Sequence, residues 1–266
     1  KPKNTRIYAR EGFVCVALGW LLLSAFGALP FVFSGAIPHY VDAFFETVSG
    51  FTTTGASILD NIESQPHALL LWRSLTQWLG GLGIVFFTVA ILPMFGVDKV
   101  QLFAAESTGV SHRKVHSRVS VGSRWIFGIY MLLTVACAVS LRICGMGWFD
   151  AVNHAFSIAA TGGFSTRNLS VGAFGSVAVN IVVLFFMSLC AMHFGLIYAA
   201  FVTRSLKPFR NSVTKYYFGS IAVMTLLIML SLLSDGGYDS WGKALMDSSF
   251  TVVSYMSTAG FAICDN

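Results

Sequence analysis

A pattern of four residues occurs three times in the chain, with the same spacing each time. A Ser follows an Asp after seven residues, a Thr after eleven and a Gly after thirteen: Asp42, Ser49, Thr53, Gly55; Asp150, Ser157, Thr161, Gly163; Asp247, Ser254, Thr258, Gly260. Gly permits backbone angles that turn carbonyl groups toward one side of a chain. Carbonyl oxygens that replace the hydration shell of a monovalent cation form an ion-selective filter. The three Thr-x-Gly steps are therefore candidate cation ligands.

Each residue type in the pattern also has a purely structural interpretation. The Asp residues could complement the start of a helix, the Ser residues could form internal hydrogen bonds, and the Gly residues could allow close helix packing. We favour the structural role for Asp and Ser. Three identical offsets favour pore lining for the steps, and the predicted ion ligands are Thr53, Thr54, Gly55, Thr161, Gly162, Gly163, Thr258, Ala259 and Gly260.

The composition places these steps in a membrane. Hydrophobic residues make up 55% of 266 residues, charged residues 11%, and the mean hydropathy is +0.71. Five apolar segments have the roughly 20-residue length of a bilayer span: 13–33, 69–95, 124–144, 174–202 and 217–234. If the first span runs outward, 13 of the 17 basic residues lie inside. The positive-inside rule then predicts a cytoplasmic N-terminus, and the charge distribution predicts no nucleic-acid face.

Short helices must present the Thr-x-Gly steps. The apolar run from Tyr40 to Phe51 precedes the first step, and a helix of about ten residues rises only about 15 Å, half the hydrocarbon thickness. Such a helix enters from outside and ends near the middle, where its negative dipole end favours a cation. The irregular backbone that follows is tolerated at this depth where it lines a water-filled path. We predict an all-α integral membrane protein of repeated helix, re-entrant helix, loop and helix.

Other polar residues are assigned structural roles. Arg73, with Gln77 and Gly81 at four-residue intervals, is predicted to snorkel or to bond a neighbouring loop rather than to line the ion path. Gly80, Gly81 and Gly83 are predicted helix-packing sites. His154, His193 and the five cysteines lack metal-ligand spacing, and no catalytic constellation occurs within the spans, so an enzyme is not predicted.

Four segments of the chain, 52–56, 72–83, 160–166 and 257–261, resemble parts of the Trk/Ktr/HKT superfamily of potassium transporters, especially of its bacterial Trk membrane subunit. The segments 52–56, 160–166 and 257–261 are similar to the first three filter loops of that family, and Trp72 to Gly83 resembles the opening of the second helix of its first repeat. The resemblance implies a pseudo-fourfold pore for K⁺, with one filter segment from each of four repeats. In the family, Gly at the first filter position, here Gly55, accompanies potassium selectivity.

The resemblance also implies how the chain is organised and what it contacts. We expect a first pore repeat (1–96), a basic cytoplasmic loop (97–123), a second repeat (124–203), a cytoplasmic loop (204–216) and part of a third repeat (217–266), so that the pore is incomplete in this chain. Expected partners are K⁺, the lipid bilayer, a second copy in a homodimer and a cytoplasmic ring of nucleotide-binding regulatory subunits. The expected location is the bacterial inner membrane.

Two other function classes are compatible with parts of this pattern. A secondary transporter of another cation such as Na⁺, or of a small solute, would also use broken helices at mid-membrane, but many such transporters are built from inverted repeats. The three loops here are predicted to enter from the same side, as in a pore. A non-conducting membrane scaffold would tolerate substitutions in the Thr-x-Gly steps.

Overall fold

The computed structural model describes residues 9–91, 115–192, 194–234 and 240–263. Within these ranges the chain is helical and contains no strand. The α-helices are α1 (Ala9–Gly27), α2 (Leu29–Phe33), α3 (Tyr40–Phe51), α4 (His67–Ile91), α5 (Val115–Ile143), α6 (Trp148–Ala159), α7 (Val177–Cys190), α8 (Phe194–Thr203), α9 (Ser212–Ser234) and α10 (Trp241–Met256). The all-α prediction is confirmed. α5 begins inside the predicted basic loop 97–123, and residues 97–114 of that loop lie outside the described ranges.

Among the described residues, three helical segments are long and apolar enough to cross a membrane: Glu11–Phe33, Trp125–Ile143 and Ser212–Ser234. They match the predicted spans 13–33, 124–144 and 217–234. The 25-residue helix α4 overlaps the predicted span 69–95.

The predicted span 174–202 is a bent pair of helices rather than one continuous helix. A 3₁₀ turn at Ser170–Phe174 leads into α7 and α8, and these two helices are bent by 93° relative to each other. The Ser176 hydroxyl caps the start of α7 by accepting a hydrogen bond from the Val179 N–H. A hydropathy window does not detect such a bend because apolar residues continue on both sides of it.

The short helices α3, α6 and α10 precede the three Thr-x-Gly steps. α3 and α6 have 12 residues each, which gives a rise of about 18 Å. Asp42 and Asp150 are in the first turn of α3 and α6, where a negative charge complements the positive end of the helix dipole. The same prediction for Asp247 is wrong, because α10 has 16 residues and begins at Trp241. About one extra N-terminal turn therefore places Asp247 inside the helix.

Helix α4 lies between the first and second short helices, and its glycines permit this position. A methyl group at Gly80 would collide with the Phe51 carbonyl of α3. One at Gly81 would meet Ala160, directly after α6, and one at Gly83 would meet the Trp20 ring of α1. The predicted packing role of these three glycines is confirmed. α4 thereby brings side chains of the first repeat against the second Thr-x-Gly step.

Candidate functional site

Each short helix ends in the same left-handed turn. The Thr that begins each step has a positive φ, and so does the Gly that ends it: 56° and 79° in the first step, 51° and 82° in the second, 58° and 71° in the third. The N–H of the middle residue donates to the carbonyl of the repeated Ser, with N···O distances of 2.9, 2.8 and 3.0 Å for Ser49, Ser157 and Ser254. With the bond from each Thr N–H to the carbonyl three residues earlier, this is a Schellman motif.

The left-handed threonines are unusual. Gly is the ordinary residue at this position of a Schellman motif, and a β-branched residue there is a genuine outlier. Such strained backbone costs about 1–3 kcal/mol per residue and persists where the surrounding structure imposes it. The repeated pattern predicts unusual angles for the glycines but not for Thr53, Thr161 and Thr258. Three equivalent residues thus share the same strained conformation.

The three steps contact one another in chain order. A methyl group at Gly55 would collide with the carbonyl oxygen of Gly162, and one at Gly163 would collide with that of Ala259. A methyl group at Gly260 would have no atom of the described residues within 4 Å. The last residue of one step thus lies against the middle residue of the next, and the absence of a Cβ makes this approach possible.

Exposure divides the predicted ligands into two groups. Gly162 and Ala259, the middle residues of the second and third steps, are buried. The other predicted ligands are exposed or half-buried: Thr53, Thr54, Gly55, Thr161, Gly163, Thr258 and Gly260. Seven of the nine predicted ligands are therefore at least partly accessible in the part of the chain that the structure describes.

Gln77 of α4 holds the second step from behind. Its Oε1 accepts hydrogen bonds from the Ser157 hydroxyl (2.5 Å) and from the Phe164 N–H (3.1 Å). Its Nε2 donates to the Gly162 carbonyl at 2.5 Å. The Gly162 carbonyl is thus bound to a side chain, and its part in ion coordination stays a prediction.

Arg73, one turn before Gln77, forms a buried ion pair with Glu46 of α3, at 2.5 Å between Nε and Oε1. Its Nη1 donates to the Ser165 carbonyl at 3.0 Å, and its Cζ lies 3.6 Å from the centre of the Phe164 ring. Arg73 is only 3% exposed. The predicted bond to a neighbouring loop is confirmed, whereas snorkelling is not observed.

Glu46 and His154 occupy equivalent places in the first two repeats, and the four-residue pattern does not include them. Each lies four residues after the Asp of its repeat. Each forms a hydrogen bond with a Ser that lies fifteen residues after the same Asp. The Ser57 hydroxyl donates to Glu46 Oε1 at 3.0 Å, and His154 Nε2 lies 3.0 Å from Ser165 Oγ. The third repeat has Thr251 and Ala262 at these positions. The sequence signal for these pairs is a Ser two residues after the Gly of each of the first two repeats, Ser57 and Ser165.

The predicted structural roles of the other polar residues are largely observed. The Ser157 and Ser254 hydroxyls donate to Gln77 and to the Phe261 carbonyl, whereas the buried Ser49 hydroxyl has no hydrogen-bond partner among the described residues. Asp150 accepts from Thr166 at 2.6 Å and from Arg167 at 3.2 Å. No group of three potential metal-ligating side chains occurs in the described ranges, and His193 and Cys264 lie outside them.

Comparisons with known proteins agree with this architecture. The family model TrkH, described as a cation transport protein, matches residues 1–235. The Trk system potassium uptake protein TrkH of Salmonella typhimurium is 42% identical over 265 residues, which is 98% of this chain and 55% of the relative. The Trk system potassium uptake protein TrkG of Escherichia coli is 33% identical over 268 residues, 100% of this chain and 55% of the relative.

A solved structure shows the same fold. The crystal structure of the potassium transporter TrkH from Vibrio parahaemolyticus matches with a TM-score of 0.86 and 34% identity, covering 99% of this chain and 54% of that one. This chain spans about half the length of the curated relatives it matches. The relatives are transport proteins rather than enzymes, in agreement with the prediction. The chain belongs to the TrkH family of cation transport proteins.

Proposed function

We propose that this chain is part of a membrane pore subunit for potassium uptake, in which oxygens of the Thr-x-Gly steps coordinate K⁺. One observation carries the proposal: three steps with the same left-handed Thr and Gly contact one another in chain order. An irregular backbone of this kind at membrane depth is tolerated where it lines a water-filled path. The names of the matched relatives, which are potassium uptake proteins, support K⁺ as the ion.

The short helices supply an electrostatic contribution. α3, α6 and α10 each end two residues before the Thr of a step, so the partial negative charge of each C-terminus is adjacent to the proposed ion path. Three such ends favour a cation over an anion without placing a carboxylate in the path. Asp42 and Asp150 lie at the opposite ends of α3 and α6.

Gly55 is the position on which selectivity is proposed to depend. It lies against the Gly162 carbonyl, and any larger residue would separate the first two steps. A change in spacing alters how well the oxygens replace the hydration shell of K⁺ compared with that of the smaller Na⁺.

The test measures K⁺ and Na⁺ uptake by the full-length protein in a host that lacks its own potassium uptake. Gly55→Ser is expected to lower the K⁺/Na⁺ uptake ratio about tenfold, equivalent to about 1.4 kcal/mol. Gly35→Ser is the matched control, because Gly35 also has a positive φ (73°) but has open space around it.

Two results would contradict the proposal. A wild-type protein that fails to support growth at low K⁺ would exclude potassium uptake. An unchanged ratio in Gly55→Ser, at equal amounts in the membrane, would exclude the first step from the filter. A scaffold would show no effect of either substitution on ion flux.

The remaining assignments are part of the same proposal. The pore repeats are assigned to 1–96, 124–203 and 217–266, in an inner membrane with the N-terminus in the cytoplasm. A homodimer and a cytoplasmic nucleotide-binding regulatory ring are the proposed partners. Dimerisation can be measured by the mass of the purified full-length protein, and the regulatory ring by co-purification.

A further inference from the structure

Gln77 makes three hydrogen bonds to the second repeat, and their chemistry fixes the orientation of its amide. A backbone N–H only donates and a carbonyl only accepts. The Phe164 N–H therefore requires Oε1 on its side, and the Gly162 carbonyl requires Nε2 on the other. The Ser157 hydroxyl supplies a second donor to Oε1. Gln77 is fully buried, at 0% exposure, so water does not compete for these bonds.

Gln77 and Gly162 are matched in shape. A Cβ at Gly162 would collide with Cδ of Gln77, so the amide occupies the volume that a side chain would need. The middle residues of the first and third steps are Thr54 and Ala259, which both carry a Cβ. Gly stands in the middle of the step against which the amide is packed.

The Gly162 carbonyl connects this amide to the candidate filter. It accepts from Gln77 on one side and lies against Gly55 on the other. A carbonyl oxygen has two lone pairs, so one is used by Gln77 and one remains. Any rotation of this carbonyl changes both the direction of its remaining lone pair and the spacing between the first and second steps.

We propose that Gln77 is a positioning residue that sets the ion selectivity of the filter by fixing the Gly162 carbonyl. The inference rests on the proposed function and deepens it. Arg73, one turn away on the same helix, contacts Phe164 and Ser165, which directly follow the step, whereas Gln77 bonds Gly162 within the step itself. One helix of the first repeat thus controls the geometry of the second step.

The first test is Gln77→Met in the full-length protein, which keeps the length of the side chain and removes all three hydrogen bonds. The K⁺/Na⁺ uptake ratio is expected to fall about tenfold or more. Gln65→Met is the matched control, because Gln65 also uses its amide to donate to a backbone carbonyl, that of Asn61, but in the loop before α4. Its ratio is expected to stay at the wild-type value.

The second test separates positioning from simple packing. Gly162→Ala alone is expected to lower the thermal midpoint because the new methyl group collides with Gln77. Adding Gln77→Ala removes the collision but leaves the buried Phe164 N–H without its acceptor, so the midpoint is expected to recover only in part, while the K⁺/Na⁺ ratio stays about tenfold low because the Gly162 carbonyl still lacks its donor. Recovery of both the midpoint and the ratio would show a packing role only and overturn the inference.

The outcomes also separate this inference from the proposed function. A wild-type protein that does not select K⁺ over Na⁺ contradicts the potassium pore itself. A selective wild type whose Gln77→Met variant keeps the same ratio leaves the pore intact and overturns the role of Gln77. If Gln77→Met does not reach the membrane, the ratio of the double variant decides.

Discussion

At the scale of single residues, the left-handed threonines lower the stability of the fold at the residues that are proposed to bind the ion. Thr53, Thr161 and Thr258 occupy a conformation that costs a β-branched residue about 1–3 kcal/mol. Gly would adopt it freely, at an entropic cost of about 0.5–1 kcal/mol. A Thr that is retained at all three positions is consistent with a need for its side chain.

Thr161→Gly is therefore expected to leave the thermal midpoint unchanged or higher while K⁺ uptake by the full-length protein falls several-fold. The release of backbone strain offsets the added entropy of the unfolded chain, but the hydroxyl is lost. Arg204→Gly is a control, since Arg204 is also left-handed (φ 47°) but directly follows α8 and is not part of a Thr-x-Gly step. A Thr161→Gly protein with lower stability and normal uptake would mean that the hydroxyl is structural.

The Arg73–Glu46 pair gives a second prediction at this scale. Arg73→Gln leaves a buried Glu46 charge without its partner, so we expect a loss of about 3–5 kcal/mol in the free energy of unfolding. The measurement is denaturant unfolding of the full-length protein in detergent. Arg167→Gln is the control, because the Arg167 side chain is 42% exposed in its pair with Asp150 and such pairs contribute about 1 kcal/mol or less. Equal losses in the two variants would contradict a special role for the buried pair.

The sequence predicts the Thr-x-Gly steps better than it predicts the side-chain contacts that hold them in place. The repeated spacing identifies every Thr-x-Gly step and predicts unusual backbone at the glycines. It does not predict that Arg73 meets Glu46, 27 residues away, or Ser165, 92 residues away. Contacts at such separations leave no local periodicity, because they arise only when helices and loops that are distant in the chain pack together.

At the scale of elements, α4 is the helix whose close packing positions the second step. Gly80→Ala would push α4 away from the Phe51 carbonyl, and overpacking of this kind costs about 1–3 kcal/mol. We expect a lower thermal midpoint together with reduced K⁺ uptake. Gly128→Ala in α5 is the matched control, because nothing lies within 4 Å of its added methyl group. It is expected to be neutral or to stabilise by up to about 1 kcal/mol, and a similar loss in both variants would argue against close packing at Gly80.

The segment 174–202 and the helix α10 each have a feature that a local window of sequence does not predict. The apolar segment 174–202 is bent by 93° between α7 and α8, although its hydropathy is continuous. α10 begins a turn earlier than the repeat spacing implies, so Asp247 is an interior residue. Apolar composition measures preference for lipid, and neither the direction of a helix nor its first residue follows from it.

At the scale of the whole molecule, successive repeats are joined at several depths. Gly55 lies against Gly162 and Gly163 against Ala259 at the steps. In the loops that follow the first two steps, the Asn168 side chain accepts from the Ile62 N–H at 2.8 Å, and the Asn168 N–H donates to Glu63 at 3.3 Å. An ion held between the steps would tie the repeats together further.

K⁺ is therefore expected to raise the thermal midpoint of the full-length protein relative to Na⁺ at the same ionic strength. A ligand that binds only the folded state adds about 2.7 kcal/mol at 100 times its Kd. The Gly55→Ser variant is expected to lose the difference between the two salts, whereas Gly35→Ser keeps it. Equal midpoints in KCl and NaCl for the wild type would contradict K⁺ coordination by the steps.

The sequence by itself determines the membrane setting, the short helices and the positions of the three steps, because these depend on local composition and on a spacing that is repeated along the chain. Only the tertiary structure decides that Gly55 and Gly163 each lie against a carbonyl of the following step, that Gln77 holds Gly162, and that Glu46 and Arg73 are joined in a buried pair. The contacts of the glycines and of Gln77 connect different repeats, and the Glu46–Arg73 pair connects two helices of one repeat. Packing between elements that are distant in the chain fixes these distances, and no local sequence pattern encodes them.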